Sequence, residues 1–205
     1  MYPVTKIFHS LQGEGHFVGY PMVFVRLAGC SVLDCHIRAE CDEAPWKATE
    51  RLEATVIAAR AASLSPGGIA CITGGEPTDH DLVPLVASLR DVGMRVHMET
   101  SGLRPVTGYP LEWLTVSPKV RGATKQKTGH TLKIVVRHDS SDEDAWGAIE
   151  EHDNGSEFFH RYLQPTSLLG IASNTEQVVR MLLSERNVGG RWALSVQAHR
   201  NWGLP

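Results

Sequence analysis

Short apolar runs closed by turn residues alternate along this chain with stretches in which apolar residues recur every third or fourth position. The short runs read as strands and the periodic stretches as amphipathic helices. Val4–Ser10 predicts a strand, followed by the loop Leu11-Gln12-Gly13-Glu14-Gly15. Met22–Leu27, dense in β-branched and aromatic side chains, predicts a second strand. Thr49 is placed as the N-cap of a helix reaching about Ser63, with Leu52, Val56 and Ala59 on one face, and Ser65-Pro66-Gly67-Gly68 ends it. Ile69–Thr73 predicts a short buried strand. Asp79 or Asp81 opens the next helix, which Gly93 stops. Strands follow at Met94–Met98, Leu111–Val116 and Thr131–Val136, and Val120–His130 reads as a mobile, solvated loop. Ser140 and Glu143 have capping-box spacing before a helix to about Glu151. Phe158–Leu163 predicts a strand, Asn174 and Gln177 open a helix to about Glu185, and Trp192–Val196 is the last strand before the tail Gln197–Pro205.

Strands alternating with helices of this length argue for a parallel sheet with crossover helices. Polar motifs sit immediately after the apolar runs: Thr73-Gly74-Gly75-Glu76, Glu99-Thr100-Ser101-Gly102, Ser117-Pro118-Lys119, Gln164-Pro165-Thr166-Ser167, and Gln197 with His199. In a parallel barrel these strand ends share one rim, where loops build the active site. A chain of 205 residues is short for eight β/α units, so an incomplete barrel of TIM type is expected, in one domain spanning 1–205.

Composition narrows the class. Apolar residues make up 42% and charged residues 21%, which excludes disorder and fibrous repeats. The net charge of −3 gives no broad basic surface for nucleic acid. No apolar run is long enough to span a membrane, and the first residues lack a signal-peptide pattern, so a reducing cytoplasm is expected.

Three of the four cysteines, Cys30, Cys35 and Cys41, fall in one loop, expected over about 29–46. Without a secretion signal, such clustering points to metal or cofactor ligation. Thiolates suit zinc or an iron–sulfur cluster, and spacing does not choose between them. Zinc would want a fourth ligand from His36, His16 or Cys71, whereas a [4Fe–4S] cluster on three cysteines keeps one iron open. Cys71, inside IACIT, reads as a buried small hydrophobe. Thr73-Gly74-Gly75-Glu76-Pro77 offers paired glycines that let backbone approach a ligand, with a carboxylate suited to an ammonium group.

Taken in order, Leu11 to Gly15, Phe24-x-Arg26-x-x-Gly29-Cys30, the cysteine loop, Thr73 to Pro77, Glu99 to Gly102, Ser117 to Lys119 and Leu163-Gln164-Pro165 resemble the 7-carboxy-7-deazaguanine synthase family of radical S-adenosylmethionine (SAM) enzymes. The resemblance runs from Phe8 to His199. It implies a homodimeric, modified partial β/α barrel with a [4Fe–4S] cluster on Cys30, Cys35 and Cys41. It implies SAM as a regenerated cofactor, met by Glu40, Cys41, Asp42, Gly75, Glu76, Glu99, Ser101, Ser117, Pro118, Lys119, Gln164, Pro165, Thr166 and Ser167. Leu11, Gln12, Gly13, Glu14, Arg26, Thr73, His199 and the terminal carboxylate of Pro205 match substrate-contacting positions, with Glu14 and Arg26 the expected catalytic pair. The implied substrate is 6-carboxy-5,6,7,8-tetrahydropterin, which a deoxyadenosyl radical would open to ring contraction and loss of ammonia. An external, flavodoxin-like one-electron donor is implied as well. Arg26 supplies the planar cation a carboxylate wants, and Gln12 an amide for the pterin edge.

Two features depart from the family pattern. The cysteine spacing is C-x4-C-x5-C rather than C-x3-C-x2-C, so the loop is remodelled. Glu43 stands where the family has a threonine that helps bind Mg²⁺. A carboxylate is a harder, charged ligand, so Glu43 is the expected Mg²⁺ ligand. The alternatives are a radical SAM activating enzyme acting on a protein partner, and a zinc-stabilised binding module.

Overall fold

The structure is a computed structural model and describes residues 1–38, 41, 47–168, 171–172 and 174–204. In chain order it has β1 (Tyr2–Leu11), β2 (Pro21–Leu27), β3 (Glu50–Leu52), α1 (Ala54–Leu64), β4 (Ile69–Gly74), α2 (Val83–Asp91), β5 (Arg95–Thr100), β6 (Trp113–Val116) and β7 (Thr128–Val136). These are followed by α3 (Asp142–Asp153), β8 (Glu157–Pro165), β9 (Ser167–Leu168), β10 (Ile171–Ala172), α4 (Thr175–Leu182), β11 (Ala193–Leu194) and α5 (Ala198–Asn201). Nine strands form one sheet in the order β11-β8-β7-β6-β5-β4-β2-β1-β3. From β2 to β11 every neighbour is parallel, and β1 pairs antiparallel with both β2 and β3. The sheet ends on β11 and β3 without closing, which makes the partial β/α barrel.

Register sorts the side chains onto two faces, because successive residues of a strand point to opposite sides. Val25, Ile72, Met98 and Leu114 form one outer row across four strands. They pack under Ile57 and Ala61 of α1, Leu85 and Leu89 of α2, and Ile149 of α3 as one core. Phe24, Cys71, His97 and Trp113 form the row on the inner face. There Phe8, Met22, Phe24, Ile69 and Cys71 make a second, smaller apolar cluster. Cys71 is 1% exposed, as a buried small hydrophobe should be. Among the described residues no helix is long and apolar enough to cross a membrane.

Several element ends differ from the sequence pattern. Thr49 does not cap a helix; its hydroxyl donates to the Val4 and Thr5 carbonyls at 3.0 and 2.8 Å, and the next residues pair with the edge of β1 as β3. Helix α1 begins only at Ala54. At α2, Asp81 accepts from the Val83 amide at 3.1 Å, while Asp79 is spent on the cysteine loop. The capping pair of α3 is one residue later than expected, Ser141 with Asp144. Val120–His130 is not a solvated loop: the Lys125 and Gln126 amides both donate to the Gly102 carbonyl, Gln126 is buried, and β7 begins at Thr128. The last strand shrinks to two residues because Asn187 takes the Trp192 amide and carbonyl.

Candidate active site

The C-terminal ends of the parallel strands open into one cleft with about 1200 Å³ of empty space, counting its mouth. Cys30, Cys35 and Cys41 line it together with the Thr73–Glu76 turn. Leu11 to Glu14, Arg26, His199, Glu99, Ser101, Ser117, Lys119 and Gln164 line the rest, with Arg26 beside Thr73 on the neighbouring strand. Thus most of the described residues singled out from the sequence converge here. Pro118, Pro165 and Thr166 do not line the cleft; Thr166 donates its hydroxyl to the Val136 carbonyl at 2.6 Å and closes the end of β7. Ser167 opens the short strand β9. Glu40, Asp42, Glu43 and Pro205 lie outside the described residues.

The glycine turn is pressed onto the strand that leads into the cysteines. The Gly75 amide donates to Leu27 O and the Glu76 amide to Gly29 O, each at 2.9 Å. A Cβ on Gly75 would lie 1.7 Å from Gly29 O, and Gly74 has φ +117°. No side chain fits at either position, so the bare backbone faces the cleft. Glu76 is 1% exposed and accepts from the Thr78 amide and hydroxyl, the Thr100 hydroxyl, and the Ser101 amide and hydroxyl.

The described part of the cysteine loop is tied down at Ser31 and at His36. Asp79 accepts from the Ser31 amide at 2.8 Å and the Ser31 hydroxyl at 2.6 Å, and Arg104 pairs with Asp79. His36 uses its backbone amide and Nδ1 on the Lys119 carbonyl, at 3.2 and 2.7 Å. All three cysteines are partly exposed thiols outside any disulfide. Burial raises the Cys30 thiol, the Val32 amide opposes it, and Glu76, Asp79 and Cys35 add to the rise. Among the described residues, no three His, Cys, Asp or Glu side chains gather closely enough to hold one metal ion.

The polar wall is a network. Gln12 donates to Glu99 at 3.0 Å and accepts from the Glu14 amide at 3.0 Å. Glu14 pairs with Lys133 and accepts from Gln164 and Gln197 at 3.1 and 2.8 Å. Burial alone would raise the Glu14 carboxyl, but the adjacent Lys133 ammonium, assisted by the Gln197 bond, lowers it to about 2. Burial and the like charge of Lys133 lower Lys119. The Arg26 guanidinium lies 5.0 Å from the Phe8 ring centre, and Phe8 stacks on Phe24 at 5.3 Å. His199 packs on Gly13, where a Cβ would lie 2.0 Å from its Nδ1, and the Ala198 amide donates to Gly13 O. Lys133 was not singled out by motif, and Gln197 only as a strand-end polar residue with no role assigned. A lysine inside the apolar run TLKIVV was the available signal, since lysine is almost never fully buried unpaired.

No family model matches the chain. A 7-carboxy-7-deazaguanine synthase of Synechocystis is 34% identical over 209 residues, covering 99% of this chain and 93% of the relative. The synthase of Prochlorococcus marinus is 31% identical, covering 98% of this chain and 97% of its own. The crystal structure of QueE from Escherichia coli superposes with a TM-score of 0.71 at 28% identity, covering 97% of this chain and 94% of that one. With the same name carried by relatives along nearly the whole chain, and the same fold beneath it, this chain belongs to the 7-carboxy-7-deazaguanine synthase family of radical SAM lyases.

Proposed function

We propose that the chain, as one catalytic domain, converts 6-carboxy-5,6,7,8-tetrahydropterin to 7-carboxy-7-deazaguanine with loss of ammonia. The observation that carries this reading is the convergence in one cleft of three cysteines, a side-chain-free glycine turn and the polar wall of Gln12, Glu14 and Arg26. The donor set fits a [4Fe–4S] cluster. Cys30, Cys35 and Cys41 line the cleft without converging on one point, and three thiolates on three irons need not do so. When bound, the cluster and SAM supply abstraction of a hydrogen atom from the substrate; the remaining tasks fall to this chain. Gly74 and Gly75 offer backbone to the methionine end of SAM, with Glu99, Ser101, Ser117, Lys119 and Gln164 around it. Arg26 pairs with the pterin carboxylate through its planar fork. Gln12 and Glu14 meet the nitrogen-bearing edge, with Leu11, Gly13, Thr73 and His199 beside them.

Glu43 as ligand of a Mg²⁺ that also meets the substrate carboxylate rests on its place after Cys41-Asp42 and on the preference of this hard cation for carboxylate oxygen. A homodimer in the cytoplasm, reduced by an external flavodoxin-like donor, completes the reading.

Anaerobic turnover of the carboxytetrahydropterin as sole substrate, followed by mass spectrometry, tests it. 7-Carboxy-7-deazaguanine should form without net consumption of SAM. The reconstituted protein should be brown, with broad absorbance near about 400 nm. Cys30→Ala, Cys35→Ala and Cys41→Ala should each lose iron, and Cys71→Ala should keep it. A colourless zinc protein, or deoxyadenosine released only with a protein partner, would defeat the reading.

A further inference from the structure

Lys133 lies in the middle of β7 on the inner face, 5% exposed. Its ammonium reaches Oε2 of Glu14, a residue 119 positions earlier in the chain. The other oxygen, Oε1, accepts from Gln164 Nε2 and Gln197 Nε2. The Ser195 hydroxyl donates to Gln164 Oε1 at 2.8 Å and itself accepts from the Gly15 amide at 2.9 Å, so Gln164 must turn its amide nitrogen toward Glu14. An ionised carboxylate has about four acceptor sites, and among the described residues three of those on Glu14 are taken. The remaining site lies on the oxygen that Lys133 holds, in a residue that lines the cleft.

Resting on the pterin reading above, we propose that Lys133 is a positioning residue of the synthase: it holds Glu14 charged and aimed, so that its remaining acceptor site receives an N–H of the substrate's aminopyrimidinone edge. That edge presents adjacent N–H donors, and a carboxylate complements it where a protonated carboxyl does not. Among the described residues, the other charged groups facing Glu14 are Lys119 after β6, Glu99 on β5, Arg26 on β2 and His199 on α5, with His16 further along the same loop. Lys119 and His199 favour the carboxylate and Glu99 opposes it. Lys133 alone among these is in direct contact with it, so its removal leaves burial as the main influence, and burial favours the proton.

The experiment is equilibrium binding of the carboxytetrahydropterin to SAM-loaded, cluster-reconstituted protein without reductant, so that no turnover occurs. The readout is the ratio of variant to native dissociation constant from pH 8.5 down to about 5.5, which cancels titration of the ligand itself. For Lys133→Met the ratio should rise at least about tenfold toward low pH, a shift of one pKa unit corresponding to a factor of ten. SAM affinity should change less than about threefold. Lys133→Arg, which keeps the charge, and the uncharged pair Lys133→Met with Glu14→Gln should each give a flat ratio. A ratio for Lys133→Met that is the same at every pH, or SAM affinity falling in step with pterin affinity, overturns the proposal. If Lys133→Met does not fold, the arginine variant and the uncharged pair decide: a sloping ratio in either overturns it, and flat ratios in both support it. Native protein that binds SAM but no pterin at any pH is a different result, and it refutes the substrate reading instead.

Discussion

The carboxylate of Glu76 accepts five hydrogen bonds, from Thr78, Thr100 and Ser101, in a residue 1% exposed. Both oxygens are committed to the chain, so in the proposed SAM site an ammonium would meet the backbone of Gly74 and Gly75 rather than this side chain. Glu76 then acts by locking the β4 turn to the end of β5. Replacing it with Gln turns one acceptor oxygen into an NH₂ that faces donors. Glu76→Gln should therefore cost about 1.5–3 kcal/mol, the range for hydrogen bonds to charged groups, read as a lower urea midpoint. SAM affinity should fall with the loosened turn. Unchanged stability with SAM binding abolished would instead mean direct contact with the ammonium. At this scale the motif residues were legible because glycines, cysteines and strand-end polar groups have few structural reasons to recur in this order. Lys133 was not, and Gln197 was legible only as a strand-end polar residue. Their partnership with Glu14 exists only once β7 and the tail are brought against the loop after β1, 119 and 183 positions from Glu14.

Between elements, the decisive contact is the β4 turn docked on residues 27–29, immediately before Cys30. Gly75 donates to Leu27 O and leaves no room for a Cβ beside Gly29 O. The glycine turn and the cysteine loop thus move as one piece, reinforced by Asp79 on Ser31. Gly75→Ala must push the two apart. Overpacking of this kind costs about 1–3 kcal/mol, and the displaced Cys30 should lower iron per chain after reconstitution, with circular dichroism nearly unchanged. Full iron loading in Gly75→Ala would mean that the loop holds its shape without the turn. Strand interiors were legible from apolar runs because β4 to β8 are covered on their outer face by helices and on much of the inner face by the site. Element ends were less so. Thr49, Asp79 and Ser140 each carry the chemistry of a cap, but Thr49 and Asp79 are drawn away by distant partners, β1 and Ser31, and Ser140 yields to its neighbour Ser141. Only tertiary contact selects among such local options.

At the scale of the whole molecule, folding withdraws histidines from water. Burial lowers His97, which sits on the inner face between Phe17 and Trp113, to about 4; it does the same to His152, which packs from α3 against Thr124. Burial also lowers His16, His36 and His130. In the unfolded chain a histidine titrates near about 6.5. Between that value and about 4 the unfolded state binds protons that the native state refuses, so stability rises with pH across this window and is lost as pH falls through it. Glu14 opens a second window. Held at about 2 against an ordinary 4.5, it contributes stability that is present above 4.5 and lost as pH falls toward 2. The urea midpoint should therefore decline from pH 7.5 to pH 4.5 through the histidines, and decline further below that through Glu14. His97→Phe, which keeps an aromatic ring beside Phe17 and Trp113, should make the first decline shallower and leave the second. Acid also releases iron from cluster proteins, but that loss is common to native and variant protein and cancels in their difference. The quantity to measure is thus the native-minus-variant midpoint at pH 7.5, 6.0 and 4.5. It should become steadily more negative, because only the native chain is penalised for a proton it cannot take up at residue 97. A difference that stays constant over the three pH values would show that His97 binds its proton in the folded state as readily as in the unfolded one, and the acid sensitivity of the fold would then have to come from elsewhere.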